Sequence, residues 1–148
     1  MEEIIHIERV SKTYEARSQR VAALREVSLR VEANEFVAIM GPSGSGKSTL
    51  MNILGCLDTP TEGRYVLSGT DVSRMDDRSL AEVRSRKIGF IFQSFNLQAR
   101  YNALENMALP LIYRGMPKNR RLDKAREALR SVGLEERMMH LPAEMSGG

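Results

Sequence analysis

Apolar positions along the chain fall mostly in short runs or alternate up to about residue 93, and beyond that they recur at helical spacing. Residues 4–14, with Ile5, Ile7 and Val10, predict a strand whose alternation is blurred by Ile4 and His6. The polar, Arg-rich residues 15–20 predict a loop. Residues 22–31 place Leu24, Val27, Leu29 and Val31 at mostly two-residue spacing and predict a second strand, closed by a turn at Ala33 and Asn34. EFVAIM, residues 35–40, is a nearly continuous apolar run, the pattern of a strand covered on both faces, and it leads straight into a glycine-rich loop. Leu50, Ile53, Leu54 and Leu57 then predict a helix over residues 47–57 that begins within the loop's own last residues. A turn cluster at 59–63, a strand at 64–68, a Gly69 turn, a charged surface helix at 78–87 and a short apolar strand at 88–93 (IGFIFQ) follow. Leu104, Met107, Ala108, Leu111 and Ile112 share one helical face, interrupted by Pro110, and Leu122, Ala125, Leu129 and Val132 share another. The pattern predicts an α/β chain whose last third is a helical lobe.

Composition narrows the class without naming a chemistry. A length of 148 residues with 42% hydrophobic content suits one globular unit. Lys plus Arg exceeds Asp plus Glu by three, 22 against 19, so no nucleic-acid partner is demanded. The basic positions between Arg114 and Arg130 read as a solvated helix face rather than a binding patch. Cys56 is the single cysteine, which excludes an internal disulfide; with no CxxC or His cluster beside it, it is expected to pack as a small hydrophobe in a reducing setting. The first ten residues lack the basic start and apolar core of a signal peptide, and no apolar run approaches the ~20 residues of a membrane span. The chain is expected to be soluble, with any link to a membrane made through a partner.

Chemistry concentrates at GPSGSGKST, residues 41–49, which fits G-x-x-x-x-G-K-[ST]. Binding phosphate through backbone requires residues without a Cβ, and Gly41, Gly44 and Gly46 let N–H groups around Ser43 and Ser45 turn inward on an anion. The helix opening near Lys47 adds unpaired N–H groups and the positive end of its dipole. Lys47 supplies a full charge for the β- and γ-phosphates, Ser48 a hydroxyl for Mg²⁺, and Thr49 one for the α-phosphate. A chance match is expected on the order of once in two hundred chains this long. An apolar strand before the loop and an apolar-striped helix after it make chance a poorer account still, so phosphate binding is the expectation.

Three further features are weak singly. Tyr14 ends the first predicted strand, where an aromatic face suits either ordinary packing or a stacked base. Gln93 ends a buried strand with an amide able to meet a metal, a water or solvent. Met145, Ser146, Gly147 and Gly148 read either as a flexible end or as a Ser-capped helix start with bare backbone.

Taken in order, Tyr14, GPSGSGKST, FQSFNL (residues 92–97) and MSGG (residues 145–148) resemble the first two-thirds of an ABC transporter ATPase subunit. GCLDTPTEG (55–63) and NALENMALPLIYRG (102–115) are similar to its macrolide-exporter and lipoprotein-release branch, MacB/LolD-like. The resemblance implies a P-loop NTPase core with an N-terminal antiparallel β subdomain and a helical subdomain, dividing at about 1–93 and 94–148. It implies ATP as ligand, with Tyr14 on the adenine, residues 41–49 on the triphosphate, and Ser48 with Gln93 completing the Mg²⁺ shell. Lys47 and Gln93 are the residues it implies for catalysis, while residues 94–101 border the docking site of a transmembrane permease. Ser146, Gly147 and Gly148 would contact the γ-phosphate held by the opposite subunit of a homodimer, with Met145 in place of the usual leucine, a volume-conserving change. The implied location is cytoplasmic, peripheral to the inner face of the plasma membrane.

One departure is serious. In that family a Walker B strand with its Asp, the catalytic Glu and a switch His follow the signature, and no apolar strand ending in Asp-Glu occurs after Gln93. The C-terminal part of the core sheet is expected to be missing, as in a truncated chain that binds nucleotide weakly and hardly turns it over. The alternative is a non-catalytic nucleotide-binding or interaction fragment; an unrelated P-loop kinase or GTPase would make the Gln93 and MSGG signals coincidental. Residues 35–40, short of sheet neighbours, are expected to leave an apolar edge open to another copy.

Overall fold

The computed structural model describes residues 2–16, 19–92 and 96–145. They form two compact units, Met1–Phe90 and Ile91–Gly148.

The first unit is built on two long antiparallel strands, β1 (Glu3–Ala16) and β2 (Gln19–Glu32), with the shorter β3 (Glu62–Leu67) and β4 (Thr70–Asp71) giving the order β2-β1-β3-β4. β1 carries a bulge between Ile7 and Val10, with Arg9 at φ 46. That extra residue puts Ile7 and Val10, three apart, both into the core. The sequence expectation of a loop over 15–20 is corrected at residues 15, 16, 19 and 20, with 17 and 18 outside the described residues. The ladder continues through Glu15↔Arg20 and Ala16↔Gln19, and an exposed ion pair between Arg20 and Glu15 at 3.0 Å supplies the polar character that mimics a loop.

Helix α1 (Lys47–Leu54) starts where the pattern places it but stops a turn early, at Gly55. A Cβ on Gly55 would lie 2.5 Å from the Phe90 ring. Leu50 and Ile53 of α1, Ile7, Val10 and Leu24 of the sheet, and Tyr65 and Leu67 of β3 share one core. Cys56 is buried there, as its composition predicts. Tyr65 is enclosed with its hydroxyl donating to the Leu54 carbonyl at 2.9 Å, which fastens the end of α1 to β3. Helix α2 (Asp77–Lys87) is capped by Asp76, whose side chain accepts the Ser79 N–H, and Arg84 of α2 donates to the Cys56 carbonyl at 2.6 Å.

The β3–β4 turn is held by Asp71, which accepts from Arg64 Nε at 2.8 Å and from Ser73 Oγ at 2.7 Å. Arg64 first, then Ser73, push the Asp71 carboxyl down to about 2 from 3.8. A carboxylate with a depressed folded pKa contributes stability above its unfolded pKa and loses it as pH falls through the folded value. With its side chain 45% exposed, solvent screening leaves this contribution at about 1 kcal/mol or less. Asp71→Asn is therefore expected to cost about that much at pH 7 and almost nothing at pH 2. Urea unfolding at the two pH values checks it, and equal costs at both would refute it.

Two expected strands are absent among the described residues. Residues 35–40 and 88–92 belong to no strand of the described sheet, and Phe36, Met40 and Ile91 are 94%, 88% and 97% exposed. A strand is a paired object, and the one sheet described here pairs with neither segment. Within residues 35–40 the alternation nevertheless survives. Val37 and Ile39 line an apolar cavity of about 260 Å³ beside α1, while Phe36 and Met40 are left open to solvent.

The second unit packs α3 (Ala103–Tyr113) on α4 (Lys118–Ser131). Asn102 and Glu105 make a reciprocal capping box at the start of α3. The Ala103 and Leu104 N–H groups are taken by the His140 and Met138 carbonyls at 2.9 and 3.0 Å. Pro110 does not interrupt α3 as expected; it removes one ladder donor, and the helix runs through it. Helix α4 buries Ala125 and Leu129, but Val132 is 63% exposed because the helix ends at Ser131, before the stripe is complete. No described helix is long and apolar enough to cross a membrane.

Candidate functional site

The glycine-rich loop connects residues 35–40 to α1. Its chain reverses at a turn in which Ser45 N–H donates to the Pro42 carbonyl at 3.3 Å, and Gly44 follows a left-handed path at φ 80. No atom lies within 4 Å of the position a Gly44 Cβ would take, so glycine is needed there for torsion and not for space. Gly46 differs. It is the N-cap of α1 at φ 90, and a Cβ there would meet the Ala23 carbonyl oxygen at 2.4 Å. The loop is thus seated directly on β2.

Because Gly46 has no side chain to cap with and the first turn of α1 holds no acidic residue, the opening N–H groups of the helix keep their positive field. Lys47 is folded over the loop, donating to the Gly41 and Pro42 carbonyls at 2.8 and 2.6 Å and to Ser45 Oγ at 3.4 Å. Its ammonium therefore lies at the mouth of the turn made by Gly41, Pro42, Ser43, Gly44 and Ser45. The Ser48 side chain is exposed and that of Thr49 half-buried, one residue apart at the helix start. Bare backbone, a helix N-terminus and a cation in one turn form an arrangement suited to a polyphosphate.

Tyr14 is in β1, two residues before its end, with 39% of its surface exposed. Its hydroxyl donates to Asp58 Oδ2 at 2.9 Å, and Lys12 Nζ lies over its ring, 5.1 Å from the centroid. Lys12 in turn donates to Asp58 Oδ1 at 2.5 Å and to the Thr59 carbonyl at 2.7 Å. Burial would raise the Asp58 carboxyl, but hydrogen bonds from Lys12, Tyr14 and Thr59 outweigh it and hold it below the usual range. Sequence reading singled out Tyr14 and missed Lys12 and Asp58. The i, i+2 spacing of Lys12 and Tyr14 on one strand was the available signal for the first; nothing local announces Asp58. Gln93, Ser146, Gly147 and Gly148 lie outside the described residues. No cluster of three or more His, Cys, Asp or Glu side chains is gathered as for a metal among the described residues.

Comparison with known proteins places this geometry. The family model described as ABC transporter matches residues 24–148. An uncharacterized ABC transporter ATP-binding protein of Thermotoga maritima is 53% identical over all 148 residues, which span 63% of its length. The macrolide export ATP-binding/permease protein MacB of Salmonella choleraesuis is 45% identical, with this chain covering 23% of it. Among solved structures, the dimeric bacterial ABC transporter cassette MJ0796 superposes on 97% of the chain with a TM-score of 0.86 at 45% identity, and 64% of that chain is covered. The same cassette in a post-hydrolysis state bound to ADP and Pi gives a TM-score of 0.87 at 43% identity. The chain spans about two-thirds of the cassette it matches, and its antiparallel sheet and helices are a partial P-loop NTPase core of α/β class. With a matching family model over most of its length and a relative at 53% identity, the chain belongs to the ABC transporter family, as a stretch of its ATP-binding domain.

Proposed function

We propose that residues 41–49 hold the triphosphate of ATP and that Tyr14 carries the adenine. The observation that bears most weight is the loop itself: Lys47 lies over a turn of bare backbone whose last glycine caps a helix with no side chain of its own. The residues fit the ligand. Gly44 leaves open space where a side chain would stand, and the helix start offers N–H groups with no side-chain cap. Bound Mg²⁺ would neutralise phosphate charge, with the Ser48 hydroxyl and the Gln93 amide as its protein ligands. Lys47 would exchange its two loop carbonyls for phosphate oxygens, a trade of neutral acceptors for charged ones.

In the whole protein this site would serve an ATP-driven subunit acting through a transmembrane permease, peripheral to the inner face of the membrane. Export is supported by likeness to MacB, in which an ATP-binding part and a permease share one chain, whereas lipoprotein release rests on the resemblance of residues 55–63 and 102–115 alone. A homodimer, with Ser146, Gly147 and Gly148 reaching the partner's γ-phosphate, is supported by the dimeric cassette. Residues 1–93 would form the β subdomain with the loop, and 94–148 the helical subdomain. A second reading, nucleotide binding without turnover, is favoured for these 148 residues by themselves, because no apolar strand ending in Asp-Glu follows Gln93.

Lys47→Ala tests both readings. It is expected to weaken ATP binding roughly thirtyfold, the worth of a charge-assisted hydrogen bond near 2 kcal/mol. Displacement of a fluorescent ATP analogue reads the affinity, and unchanged affinity would sink the proposal. Phosphate release from a polypeptide of these residues is expected to stay at background; a rate abolished by Lys47→Ala would overturn the second reading.

A further inference from the structure

Lys12, Tyr14 and Asp58 form a small network that phosphate binding does not use. Asp58 follows the turn after α1, and its one carboxylate takes Lys12 on one oxygen and the Tyr14 hydroxyl on the other. The Lys12 side chain is 12% exposed, and its ammonium divides its donors between Asp58 and the Thr59 carbonyl while standing over the Tyr14 ring. At 5.1 Å from the centroid it is within cation–π range of ~6 Å. The ring is thereby fixed twice, by its hydroxyl and by the cation over it, while the residue as a whole stays 39% exposed.

The network is also tied to the phosphate loop. Tyr14 pairs across the sheet with Val21, and two residues further along β2 is Ala23, whose carbonyl abuts Gly46. Two strand residues span ~7 Å, so the ring and the loop are anchored to one short stretch of β2. Asp58 itself comes from the far end of the segment that Lys47 begins. The ring is held from the turn that follows α1, the helix at whose start the phosphate loop lies.

We infer that Asp58 and Lys12 are positioning residues that hold the Tyr14 ring in place to receive a nucleobase, and that Asp58 joins this base platform to the segment carrying the phosphate loop. The inference rests on the reading of Tyr14 as the base's platform. A ring already fixed loses no side-chain freedom when a base stacks on it, whereas a free one does, and the difference amounts to about three- to tenfold in affinity. A purely structural tie between β1 and the turn after α1 would act on every ligand of the loop alike. A ring-positioning role acts only on ligands that have a base.

Calorimetric titration of the chain with ATP and with inorganic tripolyphosphate separates the two. Asp58→Asn keeps the shape but loses the charge and one of the two acceptors. It is expected to weaken ATP about three- to tenfold and leave tripolyphosphate unchanged. Combined with Tyr14→Phe, it is expected to cost less than the sum of the two single losses, because both break one hydrogen bond. Equal weakening of both ligands, or no change in ATP, would overturn the inference while leaving the phosphate site intact. Should Asp58→Asn fail to fold by circular dichroism, Tyr14→Phe, which deletes one oxygen, carries the same comparison with an expected loss of about threefold for ATP alone. If the wild-type chain binds neither ligand, or Lys47→Ala binds both as well, the functional reading falls and takes the inference with it.

Discussion

Gly46→Ala is expected to destabilise the chain by about 3 to 5 kcal/mol and to lower ATP affinity more than a hundredfold, while Gly44→Ala costs about 1 kcal/mol. Both glycines have positive φ, 90 and 80, so torsion alone predicts similar and modest penalties. Space separates them. The added methyl at Gly46 would lie 2.4 Å from the Ala23 carbonyl oxygen and 2.9 Å from Leu24 Cδ2, whereas at Gly44 it meets nothing within 4 Å. The first of those contacts is backbone in the middle of β2, and Leu24 belongs to the core, so neither can step aside without moving the sheet. Either the loop lifts from β2 or the start of α1 unwinds, and both remove the N–H groups that phosphate needs. Urea unfolding with ATP titration of the two variants reads the contrast, and equal costs would show that the loop is not seated on β2.

That contrast also marks how far sequence carries. The loop was legible because its chemistry is local: nine consecutive residues contain the glycines, the cation and the helix start, and the start of α1 at Lys47 follows from them. β2 and α4 were legible from the spacing of their apolar positions, and α2 from its run of charged residues. The misread segments share a different cause. Residues 15, 16, 19 and 20 are held by cross-strand pairing, with an ion pair between Glu15 and Arg20, which composition alone cannot distinguish from a loop. Residues 35–40 and 88–92 have strand composition, yet being a strand depends on a place in a sheet, and the described sheet includes neither. The Asp58 link to Tyr14 spans 44 positions, so only the folded chain brings the two together.

Standing outside the described sheet, residues 36–40 are expected to make a polypeptide of these 148 residues self-associate. Phe36 and Met40 are 94% and 88% exposed, and between them the run Val37, Ala38 and Ile39 holds no charge. Val37 and Ile39 face the cavity beside α1, which holds the segment against the core and leaves the other side chains and the unpaired backbone available. A second copy of the same run offers both an apolar face and complementary ladder groups, the combination by which an uncharged edge recruits another strand. Covering Phe36 and Met40 on two copies is worth roughly 8 kcal/mol at about 2 kcal/mol per side chain. Lost freedom on association takes away a comparable amount, so backbone pairing decides the outcome and places the transition in the μM–mM range. Sedimentation velocity is expected to show the mean mass rising with concentration across that range. Phe36→Lys with Met40→Lys puts two like charges on each edge and is expected to restore a monomer without loss of the core, because neither side chain is buried. A wild-type chain that stays monomeric at about 1 mM, or a double variant that associates as strongly, would show that this edge recruits no second copy.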